Sequence, residues 1–258
     1  MINPNTRKPG GFSGQALRIW GMVMLAVGVI GQCVIQNGVL DMPNVSNQQL
    51  LNAMEDSSVL KFATAALIMR VVSVCAIPIY AFLLVEGFQR TSSLRKYFLR
   101  VLVVALLTEL PYNLAMGGKW IDFSGRNPVF GMVIAMVVLY SFRYPIKNKA
   151  LSVLFKAFVL VMAMVWSATI LKIADGVPTV VVVAVLYLLR KRRSWQIFGG
   201  CVAMVLCTII SPLYLGAPLA FMIFHFYNEE PGEGNRLTNY LAYPALLLFI
   251  GVMTKYII

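Results

Sequence analysis

The sequence predicts an all-α fold: a polytopic bundle of transmembrane helices, forming one membrane domain over residues 1–258. Three observations point there. Hydrophobic residues make up 59% of the chain and charged residues only 12%, with a mean hydropathy of +0.78. A soluble domain cannot cover that much apolar surface with polar atoms. Several apolar stretches reach the ~20 residues needed to cross a hydrocarbon core of ~30 Å. The net charge of +12 is gathered in short connectors: Arg90, Arg95, Lys96 and Arg100; Arg143, Lys147 and Lys149; Arg190, Lys191, Arg192 and Arg193. That is the footprint of the positive-inside rule, with anionic lipid as a secondary contact. Charge so distributed speaks against nucleic acid as a partner.

Nine spans can be drawn. The first, Ala16 to Ile35, follows a polar start and reads as an uncleaved anchor. A polar loop with Asp41, Glu55 and Asp56 leads to the second, Val59 to Gly87, long enough to tilt. Pro78 inside it predicts a kink, because it removes a donor and crowds the carbonyl four residues earlier. The third covers Tyr97 to Met116. The fourth, Pro128 to Tyr144, has proline at a favoured helix start. Ala150 to Ile173 is the fifth, closed by an Asp175-Gly176 turn. Val177 to Leu189, short and β-branched, stops at the basic block. Trp195 to Tyr227 is too long for one span, and Ser211-Pro212 divides it. A glycine-rich acidic loop precedes the last, Tyr240 to Ile258. Connectors after spans two, four and six are basic, which places the N-terminus in the cytoplasm and the C-terminus outside. Were Ser211-Pro212 only a kink, eight spans would result and the last loop would move outside.

Against this wall the ionisable groups stand out. A charge near the centre of a membrane helix costs at least ~2.5–3.5 kcal/mol, so Arg70 requires a partner or a watery cavity. At ~1.5 Å per residue, Arg70 and Glu109 reach similar depths on adjacent antiparallel helices. An Arg70–Glu109 pair follows, either as a salt bridge fixing register or as the border of a substrate cavity. Tyr112 and Asn113 share the helix face of Glu109, and Pro111 between them weakens the backbone ladder. Asn127 and Asp175 approach the same level, although each also has a local reading: helix cap for Asn127, turn residue for Asp175. Glu86 with Arg90 reads as an interfacial i,i+4 pair. His225, the only histidine, is the one side chain titrating near neutrality without perturbation.

The four cysteines, Cys33, Cys75, Cys201 and Cys207, fall in apolar helices without metal or redox spacing, so packing is their expected role and no metal is expected. The loop from Asn228 to Asn239 carries three glutamates and Arg236 but lacks the lysine of a P-loop. Trp20, Tyr80, Tyr97, Trp120 and Trp195 suit interfacial belts.

Taken in order, these elements resemble the TraX family of integral-membrane acetyltransferases, named for N-acetylation of a conjugative pilin. The resemblance rests on Arg70 followed by Ala76-Ile77-Pro78-Ile79-Tyr80 through Glu86-Gly87-Phe88, then Glu109-Leu110-Pro111-Tyr112-Asn113 and Asn127-Pro128-Val129-Phe130. Asp175-Gly176, the Tyr227-Asn228 loop and Tyr240 to Pro244 complete it. It implies a multi-pass protein of the bacterial cytoplasmic membrane that moves an acetyl group from acetyl-CoA, held on the cytoplasmic side, to a peptide, glycan or small-molecule acceptor through an amine or hydroxyl. By the same resemblance Arg70, Glu86, Tyr112, Asn113, Asn127 and Asp175 bind the acceptor. Tyr227, Asn228, Gly232 and Gly234 border the coenzyme entrance. Family members usually carry an Asp-His pair in the first span, where this chain reads Val23-Met24-Leu25-Ala26, and a histidine after the last Tyr-Pro, where it has Ala245. A relocated base would be Glu109 or His225. The alternative is a non-catalytic binding or transport protein on the same scaffold.

Overall fold

The computed structural model describes residues 11–41 and 56–256; Glu55 and Ile258 lie outside them. Within those residues the chain is helical, with only two isolated β-bridges. Helix α1 (Gly14–Val29) starts under a Ser13 cap and runs on as a π-helical stretch, Ile30–Val39. Helix α2 (Ser57–Ser73) is capped by Asp56, whose Oδ1 accepts from the Ser58 N–H at 2.8 Å. Helix α3 (Ala76–Arg90) follows across a break at Val74 and Cys75. The break is the one Pro78 predicts. Proline offers no N–H to the Val74 carbonyl, which accepts from Ile77 instead, at 3.2 Å.

Helix α4 (Leu94–Gly117) absorbs Pro111 without a break and ends at Gly118 with φ +64°. Then come α5 (Val129–Arg143), α6 (Lys149–Val165) with a π-helical turn Trp166–Ile170, α7 (Gly176–Leu188) and α8 (Arg193–Cys207). A 3₁₀ segment (Pro212–Leu219) and α9 (Ala220–Phe224) lead to α10 (Arg236–Tyr256). The chain reverses at Ser211-Pro212 rather than kinking. A Cβ at Gly200 would strike the Phe221 ring, and Cys201 Sγ donates to the Pro218 carbonyl at 3.8 Å.

Among the described residues, five helical segments are long and apolar enough to cross a membrane: Gly14–Val39, Ser57–Arg90, Leu94–Gly117, Lys149–Ile170 and Leu237–Tyr256. The segments drawn over 128–144, 177–189, 195–211 and 212–227 hold shorter helices, of 13 to 15 residues. One of these, α7, is the centre of the bundle. It packs against α3, α5, α6 and α8 and is apolar on nearly every side, as a helix enclosed by others must be. Around it lies a core of Ile79, Phe82, Phe88, Met136, Leu139, Leu186, Met204, Phe221 and Phe224.

Small residues let the outer helices close on one another, as is usual where lipid gives no hydrophobic drive. A Cβ at Gly28 of α1 would overlap Ser73 of α2, and one at Gly251 of α10 would sit 2.9 Å from the Ala115 nitrogen of α4. Leu154, Phe158, Leu215 and Phe249 stand exposed on the outer surface of the bundle. Of the aromatics assigned to interfacial belts, Trp20, Trp120 and Trp195 are exposed. Tyr80 and Tyr97 instead turn inward, against Gly21 and Gly87.

Candidate functional site: two polar clusters at opposite ends of the bundle

The first cluster forms where α4 approaches the loop before α5. Glu109 does not pair with Arg70; it pairs with Arg126, at 2.8 Å. Its other oxygen accepts from Asn127 twice, from Nδ2 at 2.6 Å and from the backbone N–H at 3.3 Å. The loop after α4 folds back over the helix end and delivers a nearer cation than the neighbouring helix does. Asn127 is buried, and its Oδ1 accepts from the Val129 N–H at 3.0 Å, so the local cap reading also holds. Arg126 in turn is stitched to the turn before α7: its N–H donates to the Lys172 carbonyl and its carbonyl accepts from Ala174. Asp175 stands in the left-handed region at φ +53°, which is why a turn residue is needed there. Its Oδ1 accepts from the Tyr214 hydroxyl at 2.7 Å.

Arg70 is half-buried on α2, and its guanidinium has no ion pair or hydrogen bond among the described residues. It belongs to the same neighbourhood nonetheless. Arg70, Asp175, Glu109 and Cys33 all lie within electrostatic reach of the Tyr112 hydroxyl, and Arg70 and Asp175 both act on Tyr214 and Tyr243. The structure thus gathers Arg70, Glu109, Tyr112, Asn127 and Asp175 at one end. Asn113 is buried on α4 close by.

The second cluster lies at the other end. Tyr97, near the start of α4, is about 18 Å along that helix from Glu109. Here the loop of residues 228–234 is clasped by the segment before α1. Phe12 donates to the Phe226 carbonyl at 2.8 Å and accepts from Asn228 at 3.0 Å, while Gly14 donates to the Glu230 carbonyl at 2.7 Å. Asn228 Oδ1 accepts from Glu230 at 3.0 Å, folding the loop tightly. Gly232, at φ +72°, and Gly234 have no space for a Cβ, because Ser13 and Gln15 press on them. Gln15 and Asn239 exchange reciprocal amide hydrogen bonds at 2.9 and 2.8 Å, tying α1 to α10.

Three guanidiniums frame this loop. Arg90 pairs with Glu86 at 2.6 Å, the expected i,i+4 pair, and donates to the Glu229 carbonyl at 2.7 Å. Arg193 lies 3.7 Å from the Glu229 carboxylate and stacks over the Phe82 and Tyr227 rings. Arg18 donates to the Pro231 carbonyl at 3.5 Å. Tyr227 is buried among them. Glu86 therefore belongs to this cluster and not with the residues near Arg70. His225 is exposed; its imidazole makes a ring contact to Phe226 and no hydrogen bond among the described residues. It joins neither cluster.

Sequence reasoning missed Arg126, Arg18, Arg193 and Tyr214. Arg126 sits beside Asn127 in a short polar loop, and that adjacency was the available signal. Nothing local marked Tyr214, which reaches Asp175 only through the reversal at Ser211. All four cysteines are free, and no group of metal-binding side chains occurs among the described residues.

Neither the curated proteins nor the solved structures give a match. A family model, that of the TraX protein, matches residues 19–254, nearly the whole length, and the chain belongs to the TraX family.

Proposed function

We propose that this protein is a membrane acetyltransferase that moves an acetyl group from acetyl-CoA to an amine or hydroxyl acceptor. The donor is held at the loop of residues 228–234 and the acceptor at the Arg70–Asp175 end. One observation carries the reading: Arg18, Arg90 and Arg193, from three separate elements, converge on residues 229–231 of one glycine-rich loop. Coenzyme A bears phosphates, and planar guanidiniums are the side chains best suited to grip them. In the transfer the acceptor's nitrogen or oxygen bonds to the acetyl carbon, the carbon–sulfur bond breaks, and the thiol leaves carrying a proton. A proton acceptor must stand near the nucleophile. Glu109 is engaged by three hydrogen bonds and serves as a positioning residue. Asp175 accepts through its side chain only from Tyr214 among the described residues, so one oxygen remains available. Asp175 takes the role of base.

Mass spectrometry of purified protein supplied with labelled acetyl-CoA and a panel of amines and alcohols tests this. Label is expected on the acceptor, with Asp175→Asn slowing transfer by about 10²–10⁴-fold. Arg90→Gln should raise the KM for acetyl-CoA while leaving kcat nearly unchanged. No coenzyme binding and no turnover across the panel would sink the proposal.

The exposed position of His225, the only histidine, favours a second reading: a binding or transport protein without turnover. Thermal stabilisation by an acceptor-like ligand, indifferent to the coenzyme, would be its signature. Demonstrated transfer to a defined acceptor removes it.

A further inference from the structure

We propose that the chamber around Arg70 and Asp175 binds a zwitterionic phospholipid headgroup, with phosphate at Arg70 and primary ammonium at Asp175, and one acyl chain lying in the apolar groove beside α2. This gives the acceptor of the proposed transfer a chemical class and rests on that reading for its chemical consequence; the binding itself does not.

The position of Arg70 comes from packing on both sides of α2. A Cβ at Gly31 of the π-helical stretch would meet Met69, and a Cβ at Gly216 of the 3₁₀ segment would meet Val71. Arg70, between Met69 and Val71 in sequence and half-buried, lies on the part of α2 flanked by those two elements, and Tyr112 and Tyr243 from α4 and α10 pack against the same small core as Cys33. The two charges at this site are not closed on each other. Arg70 and Asp175 lie close enough to act on the same three tyrosine hydroxyls, yet they form no ion pair. Opposite charges inside a membrane bundle normally close, since separation forfeits the attraction that offsets their desolvation. A separated pair framed by hydroxyls complements a ligand carrying one charge of each sign.

The groove indicates which ligand. A cavity of about 230 Å³ is lined by Met24, Val71, Val72, Cys75, Gly216 and Leu219, with Ala220 and Ile223. It takes in Val71, the residue after Arg70 on α2, and follows that helix through Val72 to Cys75. An acyl chain runs the same way, from a headgroup near the membrane surface toward the midplane. The lining offers almost no hydrogen-bonding surface. An extended peptide would bring unpaired N–H and C=O groups into it at several kcal/mol each. A helix, roughly 10–12 Å across, is too thick. A methylene chain carries no such groups.

The test uses the full-length protein in mild detergent, offered equimolar phosphatidylethanolamine, phosphatidylglycerol and phosphatidylcholine, with retained lipid counted by native mass spectrometry. Ethanolamine lipid should be retained about ten-fold over the other two, the worth of one charge-assisted hydrogen bond. Glycerol headgroups lack the ammonium, and choline has no N–H to donate to Asp175. Asp175→Asn should reduce the three lipids to parity, and Arg70→Gln should lower retention of all three alike, since each carries the phosphate. Leu219→Trp, on the lipid-exposed rim of the groove, should abolish retention while free phosphoethanolamine still raises the unfolding temperature. Equal retention by the wild-type protein overturns the proposal. So does a preference unchanged in all three variants, displacement of the lipid by a peptide with a free N-terminus, or stabilisation by free phosphoethanolamine with no lipid retained. Retention without acetyl transfer leaves the site standing and removes the transferase reading. Transfer to a soluble acceptor without retention does the reverse.

Discussion

Glu109 shows how a carboxylate is kept inside an apolar bundle. Arg126, the Asn127 amide and the Asn127 backbone all donate to it, so little of its hydrogen-bonding capacity is left unmet. The two charged side chains are only 16% and 29% exposed, which puts the pair between the surface and buried limits. Glu109→Gln should therefore cost about 1–3 kcal/mol, most of it from stranding Arg126. Thermal unfolding of Glu109→Gln, Arg126→Gln and the double variant measures their coupling. A coupling near zero would mean the pair behaves like an exposed one. That Glu109 needed a cation was legible in the sequence; which cation was not. Depth along a helix can be counted from residue numbers, but the direction of a side chain around it cannot. Nor does the chain advertise that the loop between α4 and α5 will fold back and place Arg126 ahead of Arg70.

At the scale of elements, backbone-driven features were readable and packing-driven ones were not. Pro78 breaks its helix through its own missing N–H, and Asp175 turns the chain through its own φ, so both were visible locally. The 3₁₀ winding of Pro212–Leu219 and the π-helical stretches answer to neighbours and left no local mark. Close approach of α1 and α2 at Gly28 belongs with these. Gly28→Leu should destabilise by about 1–3 kcal/mol through overpacking. Gly28→Ala should cost less and be restored by Ser73→Gly, because the overlap is with the Ser73 side chain. Failure of Ser73→Gly to restore the midpoint would show that the contact does not set the helix spacing. The clasped loop gives a parallel case. Gly232→Ala pays about 1–2 kcal/mol for the left-handed backbone and also pushes on Ser13 and Gln15. Faster proteolysis within residues 228–234, with the global unfolding midpoint barely moved, is the expected result.

Across the whole molecule, connector charge and three-dimensional contact agree on which segments share a face. Arg90 and Arg193 both reach Glu229, and the segment before α1 is hydrogen-bonded to residues 226–230. The connectors after α3 and α7 and the loop before α10 thus meet at one end, with the start of the chain. Arg126 and Asp175, from the loops before α5 and α7, meet at the other. Segments hydrogen-bonded to one another cannot lie on opposite sides of a membrane, so the number of crossings between Gly14 and Asn228 must be even. The eight-span layout makes seven crossings there, and nine spans make eight. Positive-inside charge predicts that the Arg90–Arg193 end faces the cytoplasm. Cysteine labelling in intact cells checks both statements. Cys33, Cys75 and Cys207 are buried, which keeps the background low. A membrane-impermeant maleimide should modify Ser124→Cys and leave Ser92→Cys and Glu233→Cys untouched until the membrane is opened. Labelling of Glu233→Cys together with Ser124→Cys from the outside would break the even count, and with it the proposed placement of donor and acceptor on opposite faces.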